Sequence, residues 1–218
     1  NQNIDIIALA QTGTGKTAAF GIPLIQNLDF SNKDTEALIL APTRELCVQI
    51  ANDLISYAKY IPKASIVPIY GGANIETQVK KIKKGAKIIV ATPGRMLDLM
   101  KRNVIDISNI KVAVLDEADE MLTMGFKENL NDILAETPKD KNTWLFSATM
   151  PQDIENIAHT YMTEPTTITV GSRNAGAENV EHYYYMVKAK DRYLALKRIV
   201  DYYPNIYGII FCRTRKET

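Results

Sequence analysis

Two short stretches carry residue types suited to phosphate chemistry. "AQTGTGKT", Ala10 to Thr17, sets Gly13 and Gly15 just ahead of a lysine and a hydroxyl. A glycine-bearing turn between a strand and a helix aims the backbone N–H groups of Gln11, Thr12, Gly13, Thr14 and Gly15 at phosphate oxygens. The glycines permit close approach, Lys16 is long enough to reach β- and γ-phosphates, and Thr17 offers its hydroxyl to Mg²⁺. Ala10 stands where the general pattern has its first glycine. A Gly-rich turn capped by a threonine is the simpler account of the same residues.

The second stretch, "VAVLDEADEML", drives four apolar residues into Asp116, Glu117, Ala118, Asp119 and Glu120. Carboxylates this close repel one another, so a cation belongs among them. Nucleotide phosphates bring a magnesium ion, and a second strand must supply a carboxylate to hold it. By its position at the strand tip that group is Asp116, as in P-loop NTPases, and Glu117 beside it is suited to polarise or orient an attacking water. Acidic residues also favour the first turn of a helix through its macrodipole, which accounts for one or two of them without any ligand.

Both stretches need strands to deliver them. Short apolar runs recur at Ile4–Leu9, Ala37–Ala41, Ser65–Tyr70, Lys87–Ala91, Lys111–Leu115, Thr143–Ser147 and Thr166–Val170, several of them apolar at every position, as in strands buried on both faces. Helical patterns lie between them, at Lys16–Asn27, Arg44–Tyr60, Ile75–Lys83, Gly94–Lys101, Ala118–Glu136 and Gln152–Tyr161. The alternation predicts an α/β fold with a mainly parallel sheet flanked by helices, whose ligands sit at the carboxyl ends of the strands. Residues 171–179, "GSRNAGAEN", have a linker composition, and "HYYYMV", "DRYLALKRIVDYY" and "YGIIFCRT" then read as strand, helix and strand. The expected division is a first domain over 1–170, a linker over 171–179, and the start of a second domain over 180–218, too short to close by itself.

At 218 residues and 46% hydrophobic, the chain can bury one full core. Cys47 and Cys212 match no metal or disulfide spacing, which predicts a reducing, cytoplasmic setting. No apolar run approaches the ~20 residues of a membrane span, so no membrane is expected as a partner. The sequence opens without a methionine and almost directly on a strand, which reads as a piece of a longer chain. A net charge of +1 excludes a histone-like global field but leaves room for local phosphate binding.

Other strand ends also carry polar groups. "APTREL", with Pro42, Thr43 and Arg44, and "ATPGR", with Thr92, Pro93, Gly94 and Arg95, place Thr, Pro and Arg at helix starts. That serves ordinary capping and also leaves N–H groups for a phosphate. Gly71 and Gly72 make either a simple turn or a place where another backbone approaches. Ser147 and Thr149 of "LFSATMP" either cap the helix before Pro151 or hydrogen-bond to Asp119, linking the acidic site to a neighbouring surface. "KKIKKGAK" reads as a solvated helix face. Trp144 and Phe146 read as core, Tyr183 to Tyr185 as strand residues, Met121, Met124 and Phe126 as helix packing, and His159 and His182 as surface positions.

Taken in order, "AQTGTGKT", "PTREL", "GG", "TPGR", "DEAD", "SAT" and, past the linker, "IIFCRT" resemble the motifs of the DEAD-box RNA helicases, in wording similar to that of bacterial members. The resemblance covers essentially the whole chain. It implies a first RecA-like domain that binds ATP, Mg²⁺ and single-stranded RNA, followed by an incomplete second RecA-like domain. Carried onto this sequence, it makes Lys16, Asp116 and Glu117 catalytic, gives ATP to Gln11, Thr12, Gly13, Thr14, Gly15, Lys16 and Thr17, and gives the metal to Thr17 and Asp116. Asp119, Ser147 and Thr149 would couple hydrolysis to strand separation. Pro42, Thr43, Arg44, Gly71, Gly72, Thr92, Pro93, Gly94 and Arg95 would touch RNA phosphates and sugars, with little dependence on base sequence. The family's adenine-reading segment would lie before Asn1 and the arginines completing its ATPase site beyond Thr218, so the chain alone is expected to turn over weakly or not at all. A DNA helicase or other P-loop ATPase stays open, though it has no special claim on "PTREL", "TPGR" and "SAT" together. A non-catalytic RNA clamp or adaptor also stays open, with Lys16, Asp116 and Glu117 speaking against it.

Overall fold

The computed structural model describes residues 4–11, 13–170, 181 and 183–214. The chain divides into two compact units, Asn1–Ala175 and Gly176–Thr218. In the first, seven strands form one sheet: β1 (Ile6–Leu9), β2 (Ala37–Leu40), β3 (Ile66–Ile69), β4 (Ile88–Ala91), β5 (Val112–Leu115), β6 (Asn142–Ser147) and β7 (Thr166–Thr169). Their order is β3-β4-β2-β5-β6-β1-β7 and every pairing is parallel. Parallel neighbours cannot be joined by a tight hairpin, so each connection crosses a face of the sheet, six of the seven strands leading into a helix.

These helices are α1 (Lys16–Asn27), α2 (Arg44–Tyr57), α3 (Ile75–Lys83), α4 (Pro93–Lys101), α5 (Ala118–Thr123), α6 (Lys127–Ala135) and α7 (Gln152–Tyr161). They divide between two faces. One apolar layer joins Ile39, Val90, Val114, Trp144 and Phe146 of the sheet to Phe20 and Leu24 of α1 and Ile50 and Leu54 of α2. The other joins Leu38, Leu40, Ile89, Leu115 and Leu145 to helices α3 to α7 through residues such as Ile82, Met96, Met121, Ile133 and Ile154. Alternate strand residues feed alternate faces, so all four residues of β2 are buried, as its wholly apolar sequence requires. Cys47 of α2 sits in the first layer, its thiol donating to the Val90 carbonyl at 3.0 Å and pushed by burial up to about 12.

The amino-terminal edge of the sheet is locked by buried acids. Glu36, 2% exposed, accepts from Asn32 Nδ2 at 3.1 Å and the Asp29 N–H at 3.2 Å, and pairs with Lys87 at 3.3 Å and Lys111 at 3.1 Å. It thereby ties the entries of β2, β4 and β5 together. Burial pushes its carboxyl up, but hydrogen bonds from Asn32, Lys111, the Asp29 N–H and Lys87 outweigh that and hold it below the usual glutamate range. Asp5 ties the other half of this edge, accepting the Thr143 and Thr163 N–H groups at 2.6 Å each.

Several elements differ from the sequence expectation. The helix expected over Ala118–Glu136 is two, because Gly125 takes a left-handed φ of 81°. Its N–H donates to Leu122 O, and the Phe126 N–H donates to Met121 O, the two bonds of a Schellman stop. Met124, expected in packing, is 47% exposed at that stop. Helix α2 ends at Tyr57 rather than Tyr60, the Ala58 N–H closing on Leu54 O before a tight turn.

Among the described residues of the second unit the expected helix forms, as α8 (Arg192–Tyr202) after one turn of 3-10 helix. The strands expected at "HYYYMV" and "YGIIFCRT" are absent among the described residues, and Tyr183, Tyr184, Tyr185, Ile209 and Phe211 are exposed. A strand needs a ladder partner for its N–H and C=O groups, and neither segment has one here. The expected linker and His182 lie outside the described residues. His159 is at the surface, as expected. Among the described residues no helix is long and apolar enough to cross a membrane.

Removing one member of a buried ion pair strands the other. Glu36→Ala is expected to destabilise the first unit by about 3 kcal/mol or more in urea unfolding, and Glu36→Met with Lys87→Met to recover most of that loss. Since the folded carboxyl is more acidic than the unfolded one, its contribution is fully present above the ordinary value of 4.5 and disappears as pH falls through the lower folded value.

Candidate functional site

Parallel strands all finish at one edge, and the polar groups singled out above gather there. Past β1, the Ala10 N–H donates to Ser147 O at 3.0 Å, holding the loop against β6. Ala10 keeps an ordinary negative φ, so the residue replacing the pattern's first glycine meets no backbone penalty. The Thr14 hydroxyl donates to Gln11 O at 2.8 Å, and Thr12 lies outside the described residues. Gly13 and Gly15 adopt φ of 80° and 83° with open space where a Cβ would stand, so conformation rather than crowding calls for glycine. Gly15 caps α1 without a side chain, leaving the first-turn N–H groups and the positive helix end for an anion. The Lys16 ammonium donates to the loop's own Ala10 carbonyl at 3.2 Å.

Asp116 follows β5 and is fixed by its N–H donating to Leu40 O at 2.9 Å. Its carboxyl is 3% exposed and accepts the Glu117 N–H at 3.0 Å. Burial pushes this carboxyl up to about 6; the Lys16 charge and the Glu117 N–H oppose the rise, while the Glu117 and Asp119 charges add to it. Glu117 caps α5 at φ 50°, ψ 52°, the left-handed region that costs a residue with a Cβ roughly 1 kcal/mol or more. A cleft of about 380 Å³ brings Gly13, Gly15, Lys16, Thr17, Asp116 and Glu117 together. The oxygens of Thr17 and Asp116 suit Mg²⁺, which takes one or two protein groups and fills its other positions with phosphate and water. No group of three or more His, Cys, Asp or Glu that could hold a metal ion is present among the described residues.

Gln49, Asp53 and Tyr57 of α2 also line this cleft, and the sequence reading missed them. Their four-residue spacing puts them on one stripe, alongside the face of buried Cys47, Ile50, Ala51 and Leu54. That stripe is the signal that was available.

Asp119, in the first turn of α5, bridges to β6. Its Oδ2 accepts the Thr149 hydroxyl at 2.7 Å and the Thr149 N–H at 2.9 Å. Ser147 also bonds to Asp119, its hydroxyl oxygen accepting the Asp119 N–H at 3.2 Å. Burial raises the Asp119 carboxyl, but the Thr149 and Ser147 hydroxyls, with the N–H groups of Thr149 and Glu120, more than offset this and lower it. Thr149 therefore serves Asp119 rather than capping α7, whose N-cap position is Pro151 with no side-chain cap. A second cleft of about 430 Å³ runs from Lys16 and Glu117 past Asp119 and Thr149 to Thr43.

The ends of β2, β4 and β3 carry the remaining residues. Buried Pro42 leads to Thr43, whose hydroxyl accepts the Leu46 N–H at 3.2 Å and caps α2. Arg44 is exposed, with its guanidinium 5.0 Å from the centroid of the Tyr70 ring. Thr92 precedes Pro93 at the start of α4 and makes no side-chain cap. Arg95 donates both Nη groups to Ala73 O, at 3.3 and 3.4 Å, in the loop that holds exposed Gly71 and Gly72. Gly94 is exposed beside it.

A parallel sheet with a glycine loop after one strand and a buried aspartate after another defines a P-loop nucleotide-binding domain. The family model described as DEAD/DEAH box helicase matches residues 1–157, and the chain belongs to that family. It is 44% identical over 214 residues to the ATP-dependent RNA helicase DeaD of Mycobacterium tuberculosis (strain H37Rv), covering 98% of this chain and 38% of that protein. It is 42% identical over 215 residues to the DEAD-box ATP-dependent RNA helicase CshA of Geobacillus kaustophilus, covering 99% and 46%. The chain thus spans less than half the length of these curated relatives. Among solved structures, a DEAD box protein from the hyperthermophile Methanococcus jannaschii matches with a TM-score of 0.73 and 42% identity over 99% of this chain and 57% of that one. A hypothetical ATP-dependent RNA helicase from Sulfolobus tokodaii matches at 0.72 and 37%, over 78% and 49%.

The raised Asp116 carboxyl gives a signed prediction for the metal- and nucleotide-free protein. The folded form holds this proton more tightly than the unfolded chain, so stability falls as pH rises from 3.8 to about 6 and stays lower above. Asp116→Asn, which keeps an oxygen for the Glu117 N–H, is expected to be more stable than wild type at pH 7 by about 2–3 kcal/mol. The gain should vanish below about pH 4 in melts run with a chelator.

Proposed function

We propose that this chain is the nucleotide-binding part of an ATP-dependent RNA helicase, in which RNA-stimulated ATP hydrolysis drives local unwinding or remodelling of RNA. The observation that carries the reading is the Asp119–Thr149 contact. Both residues line the cleft that holds Lys16 and Glu117 on one hand and Thr43, next to Arg44 at the end of β2, on the other. One sheet edge thus offers an anion loop, an acidic pair and a row of phosphate-suited groups, with Asp119 and Thr149 beside the acidic pair.

In this reading the N–H groups of Gln11 to Gly15 and the Lys16 ammonium bind the ATP phosphates. Mg²⁺, held through Thr17 and Asp116, supplies charge neutralisation on the β- and γ-phosphates. Glu117 orients a water for in-line attack on the γ-phosphorus, the bond to the β-phosphate oxygen breaks, and ADP and phosphate leave with a proton released from the water. Asp119, with Ser147 and Thr149, carries the change to the β2–β4–β3 side, where Pro42, Thr43, Arg44, Gly71, Gly72, Thr92, Pro93, Gly94 and Arg95 hold the RNA backbone. Contacts to phosphate and sugar give little base preference. The second unit, completed in a longer protein, would contribute the arginines that such sites need, worth ~10³ to 10⁵ in rate. The spans of the relatives support this. We place the protein in the cytoplasm, a reading supported by two free cysteines.

The test is ATP turnover of the full-length protein with single-stranded RNA, with DNA, and with neither. Turnover should rise with RNA and not with DNA, and Glu117→Gln should lower kcat by about 10²-fold or more while ATP still binds. Stimulation by DNA alone, or turnover that survives the substitution, would overturn the assignment.

A further inference from the structure

We infer that Gln78 and Tyr70 are positioning residues of the RNA-phosphate interface: Gln78 fixes the backbone of Tyr70, and the Tyr70 ring holds the Arg44 guanidinium at the sheet edge. The inference rests on the RNA reading above and adds two residues that none of its motifs contains.

Gln78 lies on α3 and is 5% exposed. Its Oε1 accepts the Tyr70 N–H at 3.2 Å and its Nε2 donates to the Tyr70 carbonyl at 3.1 Å. Tyr70 is the first residue past β3, the outermost strand, so no neighbouring strand serves these two groups. The amide takes the place of that missing strand. Among side chains only an amide sets a donor and an acceptor side by side in this way without charge, and a burial this deep requires both to be used.

The loop that follows is pinned at both ends, by Gln78 at Tyr70 and by Arg95 at Ala73, with Gly72 at φ 77° between them. The half-buried Tyr70 ring lies 5.0 Å from the Arg44 guanidinium. The ring face attracts the cation without using any of its N–H donors, which stay available to phosphate oxygens. It also removes in advance part of the rotamer freedom that a bound phosphate would otherwise have to quench. Gln78 thus orders Tyr70, Tyr70 orders Arg44, and the loop carrying Gly71 and Gly72 is set between the two arginines.

The experiment is fluorescence anisotropy of the 218-residue chain with a labelled ten-nucleotide oligouridylate at low salt, beside a fluorescent ATP analogue. Gln78→Met and Tyr70→Leu are expected to raise the RNA Kd about five- to tenfold and leave nucleotide affinity within twofold, while Tyr70→Phe, which keeps the ring, restores wild-type binding. In an Arg44→Ala background, Tyr70→Leu should add less than about twofold, because the pair acts as one unit. Thermal melts check folding, and the two Tyr70 variants carry the test if Gln78→Met does not fold. Fully additive losses for Tyr70→Leu and Arg44→Ala, or Tyr70→Leu at wild-type affinity while Arg44→Ala and Arg95→Ala weaken binding, would overturn the inference alone. Unchanged binding in both arginine variants would overturn the RNA reading and the inference with it.

Discussion

All seven strands of the first unit run in one direction, and the rest of the molecule depends on that. Direction is set by backbone ladders whose registers pair Ile6 with Trp144, Ala37 with Val112 and Ala37 with Ile88. Every strand then ends at the same edge, and every strand-to-helix turn there becomes part of one surface. Order along the sheet divides that surface. β1 and β5 bring the glycine loop and Asp116, β6 lies between them with Ser147, and β2, β4 and β3 extend the row beyond β5. Asp119 reaches β6 from the β5 side because these two strands are neighbours.

Two buried acids show how differently the two edges are built. Glu36 and Asp116 are 2% and 3% exposed, so desolvation penalises both anions. Glu36 is met by two ammonium groups, an amide and an N–H, and its carboxyl moves down. Asp116 is met by one N–H and a more distant lysine, with two further carboxylates nearby, and moves up. The amino-terminal edge is electrostatically complete, whereas the carboxyl edge is left short of positive charge. Lys16, the nearest cation, spends its hydrogen bond on the Ala10 carbonyl, and Glu117 sits in a left-handed backbone. A cation brought with a phosphate would neutralise Asp116, and the phosphate would draw Lys16 from the Ala10 carbonyl.

Much of this was legible in the sequence because wholly apolar four-residue runs have few alternatives to a buried parallel strand. "ALIL", "IIVA" and "VAVL" each became one, and the residue types just past them marked the functional edge. What pattern missed was decided by single residues acting through space. Gly125 broke a continuous helical periodicity by taking a positive φ. Gln78 reads in sequence as one polar position on a basic helix, and nothing local reveals that it faces the end of a strand eight residues earlier. In the second unit the apolar periodicity of "YGIIFCRT" was real, but periodicity describes what a strand would bury and cannot supply the neighbour it must pair with.

The buried thiol of Cys47 has a practical consequence. Alkylation and disulfide exchange proceed through the thiolate, which a group pushed up to about 12 and bonded to a carbonyl does not offer at neutral pH. Cys212 in the second unit is exposed. A maleimide dye or spin label added to the native sequence should therefore mark one site only, giving spectroscopy a reporter on the second unit with no cysteine removed or introduced.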